Sequence, residues 1–446
     1  MILILIFIII LYLTDKKFYA LIGFFFFLTD GFQLLPEEFF WIAGKEIKSQ
    51  DYALVFLIAG LFSTILLRKD LKLNYFPFGL KIFSLFFLLT IAISLLHYHI
   101  PYIETIKSTR LFLLFLSPIL FFDLSYEDIN RLKKNLFIIT LFLSAVYIFQ
   151  PLSGIKLLNG YAGMGKMEIA GFTIKRFYNL PFFIYYFVFY SIFSSPFKGI
   201  KKYLSILLII TPCVLSMHRS LILGITMTVL LSLLIQKASL NVKAKALIMV
   251  MLFAMPFTSI IWERFEKGGT FKEMTQILNG DVSSLDYEDE LENKTLLFRF
   301  GHFYERASHV SKSTISILFG SGWMSEGSPY TQSNFDFIIG LPDKETDEII
   351  QIDTSDITWS QTIVRLGYLG TLIYCFFIVS LLLFFYRKRE NTIAMISFSS
   401  IMLFAITSFT SVLLFSPLMF ILPLIDYFCL SEVYEFDKKE LCLSRS

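Results

Sequence analysis

"VLSMHRSLILGI", residues 214–225, sets a histidine and an arginine side by side in an otherwise apolar stretch. The runs on either side, 203–217 and 220–236, read as consecutive membrane helices, which makes Met217–Ser220 the tip of a hairpin. A guanidinium beside hydrocarbon is expensive, and an interfacial or intramembrane charge is a functional hypothesis by default. That one stretch therefore raises both the fold class and the function.

The rest of the chain agrees with a membrane reading. Of its 446 residues 56% are apolar and 17% aromatic, with 52 Phe against 22 Gly. Mean hydropathy is +0.67. Soluble domains are about 45–50% apolar. Apolar runs long enough to cross a ~30 Å hydrocarbon core recur from end to end. The alternating ten-residue segments of a β-barrel do not occur. The expected fold is an all-α polytopic membrane protein with about 12–14 transmembrane helices. Candidate spans are 1–13, 18–35, 51–67, 78–96, 105–122, 135–151, 177–195, 203–217, 220–236, 246–261, 357–385, 392–408 and 411–430. "MILILIFIIILYL" lacks a basic leader and a small-residue cleavage site, so it reads as a short first span rather than a signal peptide.

Orientation follows from lysine and arginine in short connections. One set carries Lys16/Lys17, Arg68/Lys69/Lys72, Arg131/Lys133/Lys134, Lys198/Lys201/Lys202, Lys237/Lys243/Lys245, Arg387/Lys388/Arg389 and Lys438/Lys439. The alternate set carries only Lys45, Lys48, Lys156, Lys166 and Lys175. The first set is expected to be cytoplasmic. The chain then divides into an N-terminal bundle over 1–261, a large outer loop over 262–356, C-terminal helices over 357–430 and a cytoplasmic tail over 431–446. The loop is acidic, with "LDYEDELENK" at 285–294 and "LPDKETDEIIQIDTSD" at 341–356. Its middle has helical apolar spacing, which predicts a helix around 295–310. Loops of this length are usually functional or disordered.

On this topology Arg219 lies at the outer interface, against the positive-inside trend. It reads either as a snorkelling anchor or as a bidentate partner for a lipid-linked phosphate. Other cations share that side: Lys107 and Arg110 in "ETIKSTRLFLL", Lys175 and Arg176 in "GFTIKRFYNLPFF", and Arg299 in "LLFRFGH". Each alone could be solvated; together they point to a polyanionic ligand at the outer leaflet. His218, His302 and Trp359 lie beside these cations and are candidate contacts for the ligand, and aromatics such as Tyr304, Trp323 and Tyr330 could pack on sugars. Asp353 and Asp356 stand where the loop re-enters the membrane, as a helix cap or as a general base.

Other chemistries find little support. "GYAGMGKM" (160–167) fits a phosphate-loop frame, but Met167 stands where the metal-binding Ser/Thr is needed. The five histidines lack zinc spacing, and the acidic runs lack the pattern of a calcium loop. Four cysteines lie in or near apolar segments and imply no disulfide framework. Asn293-Lys294-Thr295 is a sequon of the kind that arises by chance. No metal, cofactor or nucleic-acid partner is expected.

The layout resembles the O-antigen polymerase and ligase superfamily (the Wzy-type polymerases and their ligase relatives). "LSMHRSLILGI" is similar to that family's Ser-x-Ser-Arg segment and aligns Arg219 with its essential arginine. "TIKRFYNLPFF" matches an earlier outer-loop arginine at Arg176. "FRFGHFYERA…LFGSGW" matches an Arg-helix-Gly-x-Gly segment at Arg299, Gly320 and Gly322. "SDITWSQTIVRLGYLG" matches the re-entry segment at Gly367 and Gly370. Ligases usually carry His-Asn where this chain has Asp356-Ile357, and polymerases more often show an aspartate. The resemblance implies a GT-C-like, metal-independent, inverting glycosyltransferase of the bacterial inner membrane, with its active site facing the periplasm. It implies catalytic roles for Asp356, Arg219 and Arg299, with Arg176, Arg110, Lys107, His218, His302 and Trp359 contacting diphosphate or glycan. The implied partners are undecaprenyl-diphosphate-linked oligosaccharide, membrane lipid and a chain-length regulator. Two alternatives stay open: a ligase acting on a lipid or protein acceptor, and a lipid-linked oligosaccharide flippase.

Overall fold

Long apolar runs punctuated by Pro, Gly and charged residues dictate helices joined by tight corners. A computed structural model describes residues 1–42, 47–67, 73–160, 166–169, 172–236, 295–326, 328–341, 349–352 and 356–431. Its helices are α1 (Ile2–Leu13), α2 (Lys17–Leu28), α3 (Ser49–Leu67), α4 (Phe78–Leu96) and α5 (Tyr102–Thr109). There follow α6 (Tyr126–Ser153), α7 (Ile184–Ser194), α8 (Ile200–Leu215), α9 (Arg219–Ile235), α10 (Thr295–Val310), α11 (Thr314–Phe319) and α12 (Pro329–Asn334). The last are α13 (Thr358–Arg387), α14 (Thr392–Ile406) and α15 (Pro417–Ser431). Among the described residues, four helices are long and apolar enough to cross a membrane: α3 over Ser49–Leu66, α4, α6 and α13. The chain is a predominantly helical membrane protein. Twelve of the thirteen expected spans fall on described helices; 246–261 lies outside the described residues, as do 262–294, parts of 341–356 and the tail 432–446.

Phenylalanine abundance has a packing explanation. Phe83 on α4 lies 5.0 Å from Tyr374 and 6.1 Å from Phe377 on α13. It also meets Phe112 at 6.2 Å and Phe115 at 6.1 Å. Lipid offers no hydrophobic drive between helices, so packing must hold them together. Interlocked rings supply that packing along with their own quadrupole geometry.

Several elements depart from the sequence expectation. The span foreseen at 18–35 ends as a helix at Leu28, because Asp30, Gly31, Phe32 and Gln33 all take positive φ (51°, 64°, 55° and 60°). Gln33 holds that left-handed turn by donating to Leu180 O at 3.1 Å and accepting from Phe182 N at 2.8 Å. The span at 105–122 is α5 continuing as a 3-10 helix over Arg110–Phe121, with Pro118 inside it. Lys166–Ile169 pairs antiparallel with Phe172–Lys175, a β-hairpin pairing with Ile169 opposite Phe172. Lys166 and Met167 are therefore in a strand, not at the helix start that a phosphate loop requires.

The departure that matters most is in α13, which breaks at Gly367 (φ 69°, ψ −176°). Residues 358–366 form a buried cross-piece, and the longer remainder runs on to Arg387. Gly320 (φ 77°) presses its backbone onto this break, and a side chain at either glycine would meet the other's backbone. Ser321 N donates to Val364 O at 2.6 Å, which satisfies a carbonyl freed by the break. Tyr98 OH donates to Gly320 O at 2.7 Å. Trp323 donates from its backbone to Ser94 Oγ at 3.0 Å and from its indole to Thr90 Oγ1 at 2.9 Å. The segment following α11 is thus threaded into the helical bundle.

Above the cross-piece sits a second, smaller core that includes Ala307, Val310, Phe335, Phe337, Ile352 and Ile363. Arg306, fully buried, ties it together by donating to Gln351 O at 2.9 Å and to Ile339 O while lying 4.3 Å over Phe337. The helix expected at 295–310 is α10.

Among the described basic residues of the expected cytoplasmic loops, those at the α1–α2 corner and the start of α6 are not all solvated. Lys17 pairs with Asp123, and Arg131 lies 4.9 Å over Phe18. Lys133 is buried against Asp426, whose other oxygen accepts from Tyr186 OH and Ser397 Oγ, both at 2.6 Å. Packing four helices together there removes the water that a loop lysine was expected to keep.

Candidate functional site

The site is assembled where the α8–α9 tip, the stretch before α7, α10 and the start of α13 converge. Tyr147 OH on α6 donates to Phe177 O at 2.7 Å, and Asn179 is held by Gln150, so the strand leaving the β-hairpin is pinned. This fixes Arg176. Its Nε donates to Ser216 O at 3.2 Å, capping the last turn of α8, and its guanidinium lies 4.4 Å over Tyr178. Burial pulls the Arg176 guanidinium below its usual range, opposed by Tyr178, Tyr147 and the Asp356 carboxylate.

Beyond Ser216 the chain turns sharply at Met217 (φ 56°), His218 occupies the cap position, and Arg219 opens α9. A non-glycine residue at positive φ in a tight tip is a strained conformation. The His218 ring meets Tyr178 at 5.0 Å, so Arg176, Tyr178, His218 and Arg219 share one locale. Arg219 stands at a helix N-terminus, where backbone N–H groups already favour an anion.

Across from the tip, Arg299 Nη2 lies 3.4 Å from Asp356 Oδ2, with side chains 19% and 38% exposed. Further along the two segments, His302 Nδ1 and Ser360 Oγ are 2.9 Å apart. Arg299 and His302 on α10 thus face Asp356 and Ser360 in two rungs. The cap position of α13 is Ile357, with no side-chain cap, so Asp356 does not serve as the helix cap. Asp353 lies outside the described residues. Trp359 donates from Nε1 to Ser408 Oγ at 3.0 Å.

His302 is fully buried, and among the described residues its Nε2 has no hydrogen-bond partner. Burial, reinforced by the Arg306 charge, pushes its pKa down to about 3. The folded value is below the ordinary 6.5, so the unfolded chain binds the extra proton between those values and stability falls as pH drops through that window. His302→Gln is expected to flatten the loss of thermal stability between about pH 6.5 and pH 3, read as melting temperature against pH. An unchanged slope would mean that the imidazole is not the group responsible.

The two remaining predicted cations are engaged elsewhere. Arg110 Nε lies 3.1 Å from Asp51 Oδ1, and Lys107 Nζ 3.4 Å from Glu104 Oε1. Sequence reasoning missed Ser216, Tyr178, Ser360 and the Arg365–Glu326 pair, in which Arg365 also lies 5.8 Å over Trp323. Only Arg365, an arginine inside an apolar re-entry helix, carried a visible signal. Among the described residues there is no group of three or more His, Cys, Asp or Glu side chains placed to hold a metal ion.

No protein-family model and no curated protein matches this chain.

Proposed function

We propose that the chain is a glycan polymerase of the O-antigen type, with about a dozen membrane spans in a GT-C-like arrangement. It would act at the outer face of a bacterial inner membrane on repeat units linked to undecaprenyl diphosphate. The observation that carries this reading is the pairing of Arg299 with Asp356, a carboxylate whose charge Arg176 also feels, with Arg219 next to His218 at the same hairpin tip as Arg176. Guanidinium groups bind diphosphate through paired hydrogen bonds and keep their charge. Charge developing on a departing lipid diphosphate would be met by groups already in place. Asp356 would take the proton from the attacking sugar hydroxyl. Arg299 orients that carboxylate, and the His302–Ser360 rung fixes α10 against α13. Diphosphate is a good leaving group and needs little acid catalysis.

The test is reconstitution. Purified protein in lipid vesicles, given only lipid-diphosphate repeat units from the producing cell, is expected to make a ladder of longer glycans in the presence of EDTA. Reporters fused within 270–350 should read as outside and those at 387–390 as cytoplasmic. No ladder, or both reporters on one side, would overturn the reading.

A further inference from the structure

We infer that Phe300, Trp359 and Phe409 form a stacking platform for a pyranose ring of the acceptor glycan, beside the Arg299–Asp356 pair. The inference rests on the polymerase reading above and assigns it an acceptor subsite. The three rings come from three elements. Phe409, in the turn after α14, lies 5.8 Å from Trp359 at 43° and 6.5 Å from Phe300 at 34°. Tilted contacts also occur inside the bundle; what sets these rings apart is exposure, where interior rings such as Phe112 and Trp323 are buried.

The platform is held rigidly. Thr358 N donates to Ser408 O at 3.0 Å, and Thr358 Oγ1 to Ser411 O at 2.7 Å. The Trp359 indole N–H is taken by Ser408 Oγ, so this side chain offers a ligand its ring and not its donor. Despite that ordering, Phe300 is 51% and Phe409 50% exposed. Phe300 follows Arg299 in sequence, and Trp359 lies three residues after Asp356.

A pyranose has an apolar C–H face and a rim of hydroxyls. Half-exposed rings match the face; a guanidinium and a carboxylate that keep some exposure match the rim. An isoprenoid or acyl chain would use the rings but has no hydroxyls to meet the adjacent guanidinium and carboxylate. The rival role is interfacial anchoring, for which aromatic residues are enriched at membrane boundaries. Leucine replaces that role tolerably but offers no ring face.

The test compares Phe300→Leu, Phe409→Leu and Phe409→Tyr, each full-length, in the reconstituted assay at equal protein per vesicle. The acceptor probe is the cell's own lipid-diphosphate single repeat. Each leucine variant is expected to raise acceptor KM roughly three- to tenfold, the loss of one aromatic contact, with kcat within about twofold. Phe409→Tyr, which keeps the ring, is expected to retain near-normal KM. Unchanged KM in both leucine variants, with polymer made by the wild type, would assign the rings to anchoring and overturn the platform alone. Equal defects in Phe409→Tyr and Phe409→Leu would show that the ring face is not what matters. Absence of polymer from the wild type would overturn the polymerase reading and the platform with it.

Discussion

Asp356→Asn is expected to lower polymer turnover by roughly 10²–10⁴, the usual contribution of a positioned base, while protein abundance in the membrane stays normal. Helix capping does not confound the result, since Ile357 occupies the cap position of α13. What the change does disturb is the contact with Arg299 at 3.4 Å. Arg299→Gln separates the two effects. If Asp356 serves only to hold Arg299, the double variant should be no worse than Arg299→Gln alone; a base should add its own loss. Asp353→Asn is the neighbouring control. Arg219→Lys keeps the charge but loses the planar fork, and is expected to fail nearly as badly as Arg219→Ala. Full activity with lysine would reduce Arg219 to an interfacial anchor.

The largest stability effect is expected at the opposite end of the bundle. Lys133 and Asp426 are 2% and 0% exposed, and Asp426 is also bonded by Tyr186 and Ser397. Asp426→Asn keeps a hydrogen-bonding group of the same size but strands the buried ammonium. Breaking a buried pair by removing one charge costs about 3–5 kcal/mol, whereas replacing both is often near neutral. Asp426→Asn and Lys133→Met alone should each lower membrane abundance and melting temperature sharply. The double variant should recover most of the loss. Additive losses in the double variant would show that the two charges are not coupled.

Helices were legible because their signal is local. The run at 78–96 needs only its own apolar residues to be read as α4, with the same limits. The 214–225 stretch likewise revealed the hairpin tip through its two polar residues, and 295–310 revealed α10 through its spacing. Features set by distant partners were not legible. Lys133 read as a loop lysine because its partner lies 293 residues away. Arg110 read as a free outer cation because Asp51 meets it only after α3 and α5 pack. Gly367 stood out only as a match to a re-entry segment, and nothing local showed its positive φ, where the backbone of Gly320 presses on it. At the site, the arginines and Asp356 were visible as charges out of place. Ser216 and Ser360 were not, because a serine among apolar residues usually back-bonds to its own helix.

The central claim is that this chain lengthens a lipid-linked glycan. It is tested most directly by analysing the envelope glycan of cells from which the chain has been deleted, with and without a plasmid copy. The account predicts single repeat units still attached to their final acceptor, and restoration of the full-length ladder by the wild-type copy but not by Arg219→Ala. Long chains left unattached would identify a ligase instead, and an unaltered ladder would contradict the account.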